Sequence, residues 1–301
     1  MADDPPQKQF YPHFALQGVQ VFFGSLPVIA KVVLAVVPAV ALVGFRVGIK
    51  TTLLAFVQFL RGRFWLREKG DYWRLAIISL FGVTLNQLLF ITGLSLTKAS
   101  NTSLLAVTIP IFALSVGAII GTERLRSFKV IGIAMAAVGV IIIIDPRKAW
   151  FSSETTLGDI LIVLNSLCFG IYVATSKAVV TRNGAFRSMM WVFIFASIVC
   201  VPLGIYSMRS VDIASILPSI WWLVAYIAVG ATTTPYLLNA WALARVNPST
   251  LAVYIYLQPL IGFLLAVIFL GEHIGLPFIA ATFLIFAGVY LVTKRSVSVE
   301  T

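Results

Sequence analysis

Ten apolar runs, each close to the length that crosses a bilayer, take up most of this 301-residue sequence and leave only short connections between them. Bounded by charge, proline and glycine, they cover 14–34, 38–60, 72–96, 100–121, 128–144, 157–180, 186–208, 219–244, 249–270 and 274–293. A spanning helix needs about 20 mostly apolar residues, so ten use about 200 positions. The remainder suffices for two tails and nine connections, with no room for a soluble domain. Composition agrees: 60% of residues are hydrophobic and 11% charged, and the mean hydropathy is +1.00. A soluble domain carries roughly 25% charged residues, so a soluble globular enzyme is excluded. The expected fold is an all-α integral membrane protein with ten transmembrane helices. The first connection, near Val36 to Pro38, carries no charge, yet merging its flanking runs would make one helix of about 45 residues, too long for a single span.

The net charge of +11 would suggest a nucleic-acid partner in a soluble protein; in a polytopic one it reports orientation. With the N-terminus placed in the cytoplasm, 14 basic residues fall on that side and 4 (Lys98, Arg147, Lys148 and Arg209) on the other. Lys31, Arg46, Lys50 and Lys177 lie inside the runs. Both termini are therefore expected in the cytoplasm, which requires an even number of spans. The first residues hold Pro5, Pro6 and two acids where a signal peptide would be basic, so 1–12 read as a disordered tail; 296–301 read as a C-terminal tail. Cys168 and Cys200 fall inside apolar runs and read as small buried residues, without disulfide or metal spacing.

The two halves are related. Shifted by 149 positions, Pro110 falls on Pro259, Glu123 on Glu272 and Gly139 on Gly288; shifted by 146, Gly24 falls on Gly170 and Lys31 on Lys177. Because each half holds an odd number of spans, five, the second copy must lie inverted relative to the first. Inverted repeats are the plan of secondary transporters, with substrate bound near the midplane between them.

The segments LTKASNTSLLAVTIPIFALSVGAIIGTERL and LARVNPSTLAVYIYLQPLIGFLLAVIFLGEHI, with the Lys31 segment and the glycine-rich fifth and tenth runs, resemble the EamA-type exporters of the drug/metabolite transporter superfamily. The first run has Phe23-Gly24 where that family commonly has a Trp-Gly pair. The resemblance implies a first five-helix repeat over 13–145 and a second, inverted one over 157–295. It also implies a bacterial inner-membrane exporter of amino acids or their derivatives, in which the repeats rock to alternate access.

Polar groups inside the runs are the candidates for a transport path, because an embedded polar group needs a protein or water-filled neighbour. Gln17, Gln20, Gly24, Pro27 and Lys31 share one helical face, and Ser166, Gly170, Val173 and Lys177 repeat the pattern beside a stripe of Asn165, Phe169, Tyr172 and Ser176. Asn86 and Gln87 in the third run, Thr232, Tyr236 and Asn239 in the eighth, and Tyr254 and Gln258 in the ninth add donors and acceptors suited to a polar or zwitterionic solute. The alternatives are that Lys31 and Lys177 snorkel to the interface, and that Asn86, Asn239 and Gln258 join helix to helix. Pro110 and Pro259, mid-run at equivalent positions, are expected to bend their helices and act as paired gating hinges. Ser100, Asn101, Ser249 and Thr250 are expected to cap the starts of those helices. Glu123 and Glu272 are expected to bond loop backbone or basic neighbours. The small residues of the fifth and tenth runs suit packing between repeats or a weak dimer contact, so the chain is expected to be a monomer or weak homodimer.

All 11 acids lie in tails or at run ends, so a carboxylate relay is not visible and facilitated export or exchange is as well supported as proton antiport. An intramembrane enzyme would need a catalytic constellation that the sequence lacks, and a channel would use a symmetric multichain pore. No cofactor, metal or nucleic acid is expected; the partners are a small-molecule substrate and the lipid bilayer. A carrier of the same fold for nucleotide sugars or other organic anions is the nearer rival. It would want converging basic groups, which Lys31, Arg46, Lys50 and Lys177 could supply.

Overall fold

The computed structural model of the chain describes residues 7–123, 127–144, 153–232, 234–235, 238, 242, 254 and 257–293. Its described elements are all helical. A chain in hydrocarbon has no water to bond its amides, and a helix pairs each one within its own segment. The first two runs are separate helices, α1 (Gln7–Leu34) and α2 (Ala39–Leu60), joined through a turn at Pro38. Residues 7–12, assigned to a tail from the sequence, are helical and belong to α1, with Pro12 inside the helix.

The third run is α3 (Lys69–Ser79), a π-helical turn over Leu80–Leu85, and α4 (Asn86–Leu96). The fourth is α5 (Ala99–Leu105), a 3-10 turn over Ala106–Thr108, and α6 (Ile109–Ile119). Then come α7 (Ser127–Ile144), α8 (Ser153–Asn183), α9 (Ala185–Ser207), and α10 (Pro218–Ala225), which enters a second π-helical turn at Tyr226–Gly230. α11 (Leu257–Leu270) and α12 (Leu276–Thr293) follow. Among the described residues, six helical stretches are long and apolar enough to cross a membrane: Tyr11–Leu34, Ala39–Leu60, Lys69–Leu96, Ala99–Ile119, Thr155–Asn183 and Ala185–Ser210. Four shorter apolar helices lie at Ser127–Ile143, Pro218–Gly230, Leu257–Leu270 and Leu276–Leu291.

The internal repeat recurs in the geometry. The two π-helical turns begin 146 positions apart. The Glu123 amide donates to the Gly117 carbonyl at 3.0 Å, and 149 positions later the Glu272 amide donates to Ala266 at 3.3 Å, so both helix ends close in the same way. Helix pairings repeat too. A Cβ added at Gly24 of α1 would lie 2.9 Å from Ile261 Cβ on α11, and one at Gly170 of α8 would lie 2.7 Å from Phe112 Cβ on α6. Gly24 and Gly170 are related by the 146-residue offset, and Phe112 and Ile261 by the 149-residue one.

The core has two parts. The larger is formed by α1, α2, the α3 to α4 segment, α9 and α10, with Leu42, Ile91, Met190 and Ile227 among its buried side chains. The smaller joins α7 to α12 and α6 through Ala136, Ile285, Ile111 and Leu114. In α7 and α12 the approach is backbone to backbone: a side chain at Gly139 would meet Ala281 and Ile285, and one at Gly288 would meet Gly132 and Ala136. The outer faces of this pair, including Ile141 and Phe283, are exposed. Overpacking a core typically costs about 1–3 kcal/mol. Gly288→Leu is accordingly expected to lower the thermal unfolding midpoint of the detergent-purified protein, with Gly288→Ala showing a smaller drop.

Candidate functional site

Buried polar side chains converge on one partly open cavity of about 340 Å³ between the helices. α1 contributes Phe23 and Leu26, and α2 contributes Arg46, Val47 and Lys50. The third span presents Gly82 and Val83 from its π-helical turn, followed by Asn86, Gln87 and Phe90. α8 adds Asn165, Phe169 and Tyr172; α9 adds Met189, Val192 and Phe193; Ala106, Ile109, Ala231, Thr232 and Gln258 complete the wall. Lys50 is the twelfth residue of the 22-residue α2, so the cavity lies near mid-helix.

The cation pair dominates the electrostatics. Arg46 and Lys50 are one helical turn apart and therefore on the same side of α2, with only 5% and 2% of their surfaces exposed. The Lys50 ammonium lies 4.2 Å from the centre of the Phe193 ring. None of the described residues lining the cavity is acidic. Two basic groups on one face of α2 make this side of the cavity basic in character, which suits an anionic group of a solute.

The polar wall is held in place. The Asn165 side-chain amide donates to the Asn86 carbonyl at 2.8 Å, Asn86 Nδ2 returns a 3.5 Å bond to the Asn165 carbonyl, and Gln87 Nε2 donates to Asn86 Oδ1 at 3.1 Å. This is the helix-to-helix role raised from the sequence, at residues that also face the cavity. The π-helical turn widens the third span where α8 presses its aromatic side. A Cβ at Gly82 would enter the Tyr172 ring, which itself lies 5.4 Å from that of Phe169. The second π-helical turn ends at the cavity, where Thr232 Oγ1 donates to the Ile227 carbonyl at 2.5 Å. π-Helical turns are often found at functional sites.

Of the candidates named from the sequence, Asn86, Asn165, Tyr172 and Gln258 line this cavity. Gln17 and Tyr254 line a separate recess with His13, whose Nδ1 lies 3.0 Å from the Tyr254 hydroxyl. Gln20 is buried in α1, 1% exposed, outside the cavity wall. Lys31 is at neither site: its ammonium donates to the carbonyls of Leu94 (2.9 Å), Ser95 (3.1 Å) and Thr97 (2.5 Å), at the end of α4. A cation there meets the negative end of the helix dipole. Lys177 is exposed on α8. Tyr236 and Asn239 lie outside the described residues. Pro110 is in the first turn of α6, directly after the 3-10 break, where its missing donor costs nothing. Pro259 is buried in α11. Arg46 and Lys50 were visible in the sequence as charges four apart within an apolar run.

A second polar network lies beyond Lys31, around the turn between the third and fourth spans. Asp159, 1% exposed, accepts hydrogen bonds from Thr97 Oγ1 at 2.5 Å and Asn101 Nδ2 at 3.2 Å. The expected self-capping by Ser100 and Asn101 is replaced here. Glu272, from the turn after α11, accepts the Ala99 amide at 2.8 Å, the Ser100 amide at 3.1 Å and the Ser100 hydroxyl at 2.5 Å. A full carboxylate is a stronger acceptor than a hydroxyl at a helix start, which leaves Ser100 free to act as a donor to it. Ser249 and Thr250, the equivalents in the second half, lie outside the described residues.

The sequence profile of the EamA-like transporter family matches residues 13–145 and again 156–294. An uncharacterized transporter of Archaeoglobus fulgidus is 25% identical over 245 residues, covering 81% of this chain and 83% of its own length. One from Vibrio cholerae is 29% identical over 262 residues, covering 83% and 81%. A WAT1-related protein of Arabidopsis thaliana is 23% identical, covering 72% and 66%. A solved crystal structure has the same fold, with a TM-score of 0.61 at 18% identity over 94% of this chain and 96% of the other. With a doubled profile match, apolar helices of spanning length and a polar cavity at mid-helix, the chain is an integral membrane protein that belongs to the EamA-like transporter family.

Proposed function

We propose that this chain is a secondary carrier that exports a small amphipathic organic anion, a carboxylate or phosphate on an apolar or aromatic body, by alternating access between two inverted five-helix repeats of a ten-span bundle. One observation carries the reading: Arg46 and Lys50 are buried together at a cavity whose described lining has no acid. The guanidinium fork and the ammonium would hold the anionic group. Asn86, Gln87 and Gln258 would pair its other polar atoms, and Phe90, Phe169 and Tyr172 would pack on its apolar part.

Amino acids, the solutes implied by resemblance, supply a carboxylate, but the ammonium of a free amino acid would enter a site with two cations. Derivatives without a charged amine, such as N-acyl or keto acids, fit better. A volume of about 340 Å³ is at the lower end for small-molecule sites and suits a compact solute better than a nucleotide sugar. The 3-10 break places Ala106 and Ile109 at the cavity wall, so a hinge beside Pro110 would move that wall directly. The 14-to-4 distribution of basic residues supports cytoplasmic termini, and the resemblance to EamA-type exporters supports a bacterial inner membrane location.

Proteoliposomes loaded with N-acyl amino acids, keto acids, free amino acids or amines test this reading. Saturable efflux of the anionic classes, with slower efflux of free amino acids and none of amines, is the expected result. Efflux of amines or free amino acids alone would refute it.

A further inference from the structure

A second basic site lies away from the central cavity, where the end of α2, the end of α8 and the start of α9 meet. A polar recess of about 460 Å³ there is lined by five arginines: Arg61, Arg63, Arg67, Arg182 and Arg187. The recess wall itself contains no acid among the described residues. Two acids lie beside it, both engaged by Arg182, and Asp71 is also 3.7 Å from Arg74 Nη1. Arg182 Nη1 donates to both Glu68 carboxylate oxygens at 2.8 Å, and its Nε lies 3.1 Å from Asp71 Oδ2. Even with both acids counted, the group carries an excess of three positive charges.

The scaffold around these arginines is ordered by specific contacts. Arg187 Nε donates to the Arg63 carbonyl at 3.0 Å, and the Arg67 amide donates to Asn183 Oδ1 at 3.0 Å. The Asn183 side-chain amide in turn donates to the fully buried Asp71 at 2.7 Å. The Arg61 guanidinium lies 5.7 Å from the centre of the Phe186 ring. α9 opens on this recess with Gly184, at φ +84, as its N-cap, so no side chain competes for the first turn of a 23-residue helix. Guanidinium groups gathered at a helix start repel one another unless an anion lies between them, and their planar forks match phosphate oxygens in pairs.

The surroundings place the recess at the boundary of the bilayer. Phe56, Phe59 and Leu60, on the last turns of α2, are exposed, and Trp65 is 71% exposed beside Arg63 and Arg67. Exposed apolar residues ending in tryptophan and arginine mark the level of lipid headgroups. We infer that this recess is a phosphate-binding site separate from the transport cavity, filled by the headgroup phosphate of an acidic phospholipid. A soluble phosphate offers the same chemistry, and the two sources are separable by experiment.

The test is native mass spectrometry on the full chain in detergent with equal amounts of phosphatidylglycerol and phosphatidylcholine, repeated with millimolar inorganic phosphate. One phosphatidylglycerol is expected to be retained with at least about a tenfold preference, equivalent to about 1.4 kcal/mol. The preference should vanish in the Arg61→Gln/Arg63→Gln/Arg67→Gln variant and be unaffected by inorganic phosphate. If inorganic phosphate displaces the lipid, or binds in its place in an arginine-dependent way, the phosphate site stands and its ligand is soluble. Equal lipid ratios in wild type and variant, with no arginine-dependent phosphate binding, would overturn the site. The corresponding triple lysine variant keeps the charge and guards against a folding artefact. It should retain only part of the preference, and full retention would overturn the guanidinium–phosphate match.

Discussion

Replacing Arg46 and Lys50 together by methionine is expected to slow anion efflux from proteoliposomes by about two orders of magnitude while leaving the protein folded. A hydrogen bond to a charged group contributes about 1.5–3 kcal/mol, and loss of both cationic partners by a bound anion would exceed the roughly 2.8 kcal/mol that corresponds to a hundredfold change. The fold should survive because methionine fills comparable volume without the cost of burying charge. Replacing buried ionic groups by apolar residues of similar volume is often neutral or stabilising. The comparison of transport with the unfolding midpoint separates the two effects. Unchanged efflux in a well-folded variant would show that the anion is held elsewhere, whereas Lys50→Arg with Arg46→Lys, which preserves both charges, should restore a measurable part of the rate.

The second large effect is expected at Glu272, and it concerns stability. Its carboxylate receives two backbone amides and one hydroxyl at the start of α5. Glu272→Ala leaves these donors at a half-buried helix end without that acceptor, and substitution of a helix cap costs about 0.5–2 kcal/mol. Charge-assisted bonds belong at the upper end of such ranges, so a loss of about 2 kcal/mol is expected in reversible unfolding in mixed micelles. Glu272→Gln retains an acceptor oxygen and should lose about half as much. Amide exchange at Ala99 and Ser100 should accelerate in step, a local signature that a general loosening of the bundle would not give. If neither midpoint nor exchange moves, the contact from the turn after α11 does not hold the start of α5.

Much of the architecture was legible because its causes are local. Apolar runs bounded by charge become helices in a bilayer, and the uncharged link near Pro38 still separates α1 from α2 because a single span cannot use both runs. The repeat offsets reappear in the paired π-helical turns and in the matching Glu123 and Glu272 helix ends. The breaks themselves were less legible. Pro110 signalled a bend, but a proline identifies a missing donor without saying whether the chain kinks or restarts; here it restarts after a 3-10 turn. The π-helical turns leave no mark in the apolar pattern, since one extra residue in a turn changes which side chains face the cavity without changing their polarity.

The candidate site shows the same division. Gln17, Gln20 and Lys31 share a face of α1, yet at 1.5 Å per residue Gln17 and Lys31 are about 21 Å apart along the axis. A face is therefore not a site. Gln17 reaches a recess beside Tyr254, Gln20 is buried between helices, and Lys31 bonds carbonyls more than 60 positions away at the end of α4. Asn165 and Lys177, about 18 Å apart along α8 by the same rise, separate likewise into a cavity-lining residue and an exposed one.

Read alone, the order of residues established a bilayer protein, its apolar helices and the relation between its halves, because hydropathy and spacing act within a segment. It also narrowed the embedded cations to four. Which of the four face the cavity depended on depth along each helix and on the helix packed opposite, and neither is encoded in local periodicity. Tertiary packing set Lys31 on the carbonyls at the end of α4, left Lys177 at the surface, and buried Arg46 and Lys50 side by side in the middle of the bundle.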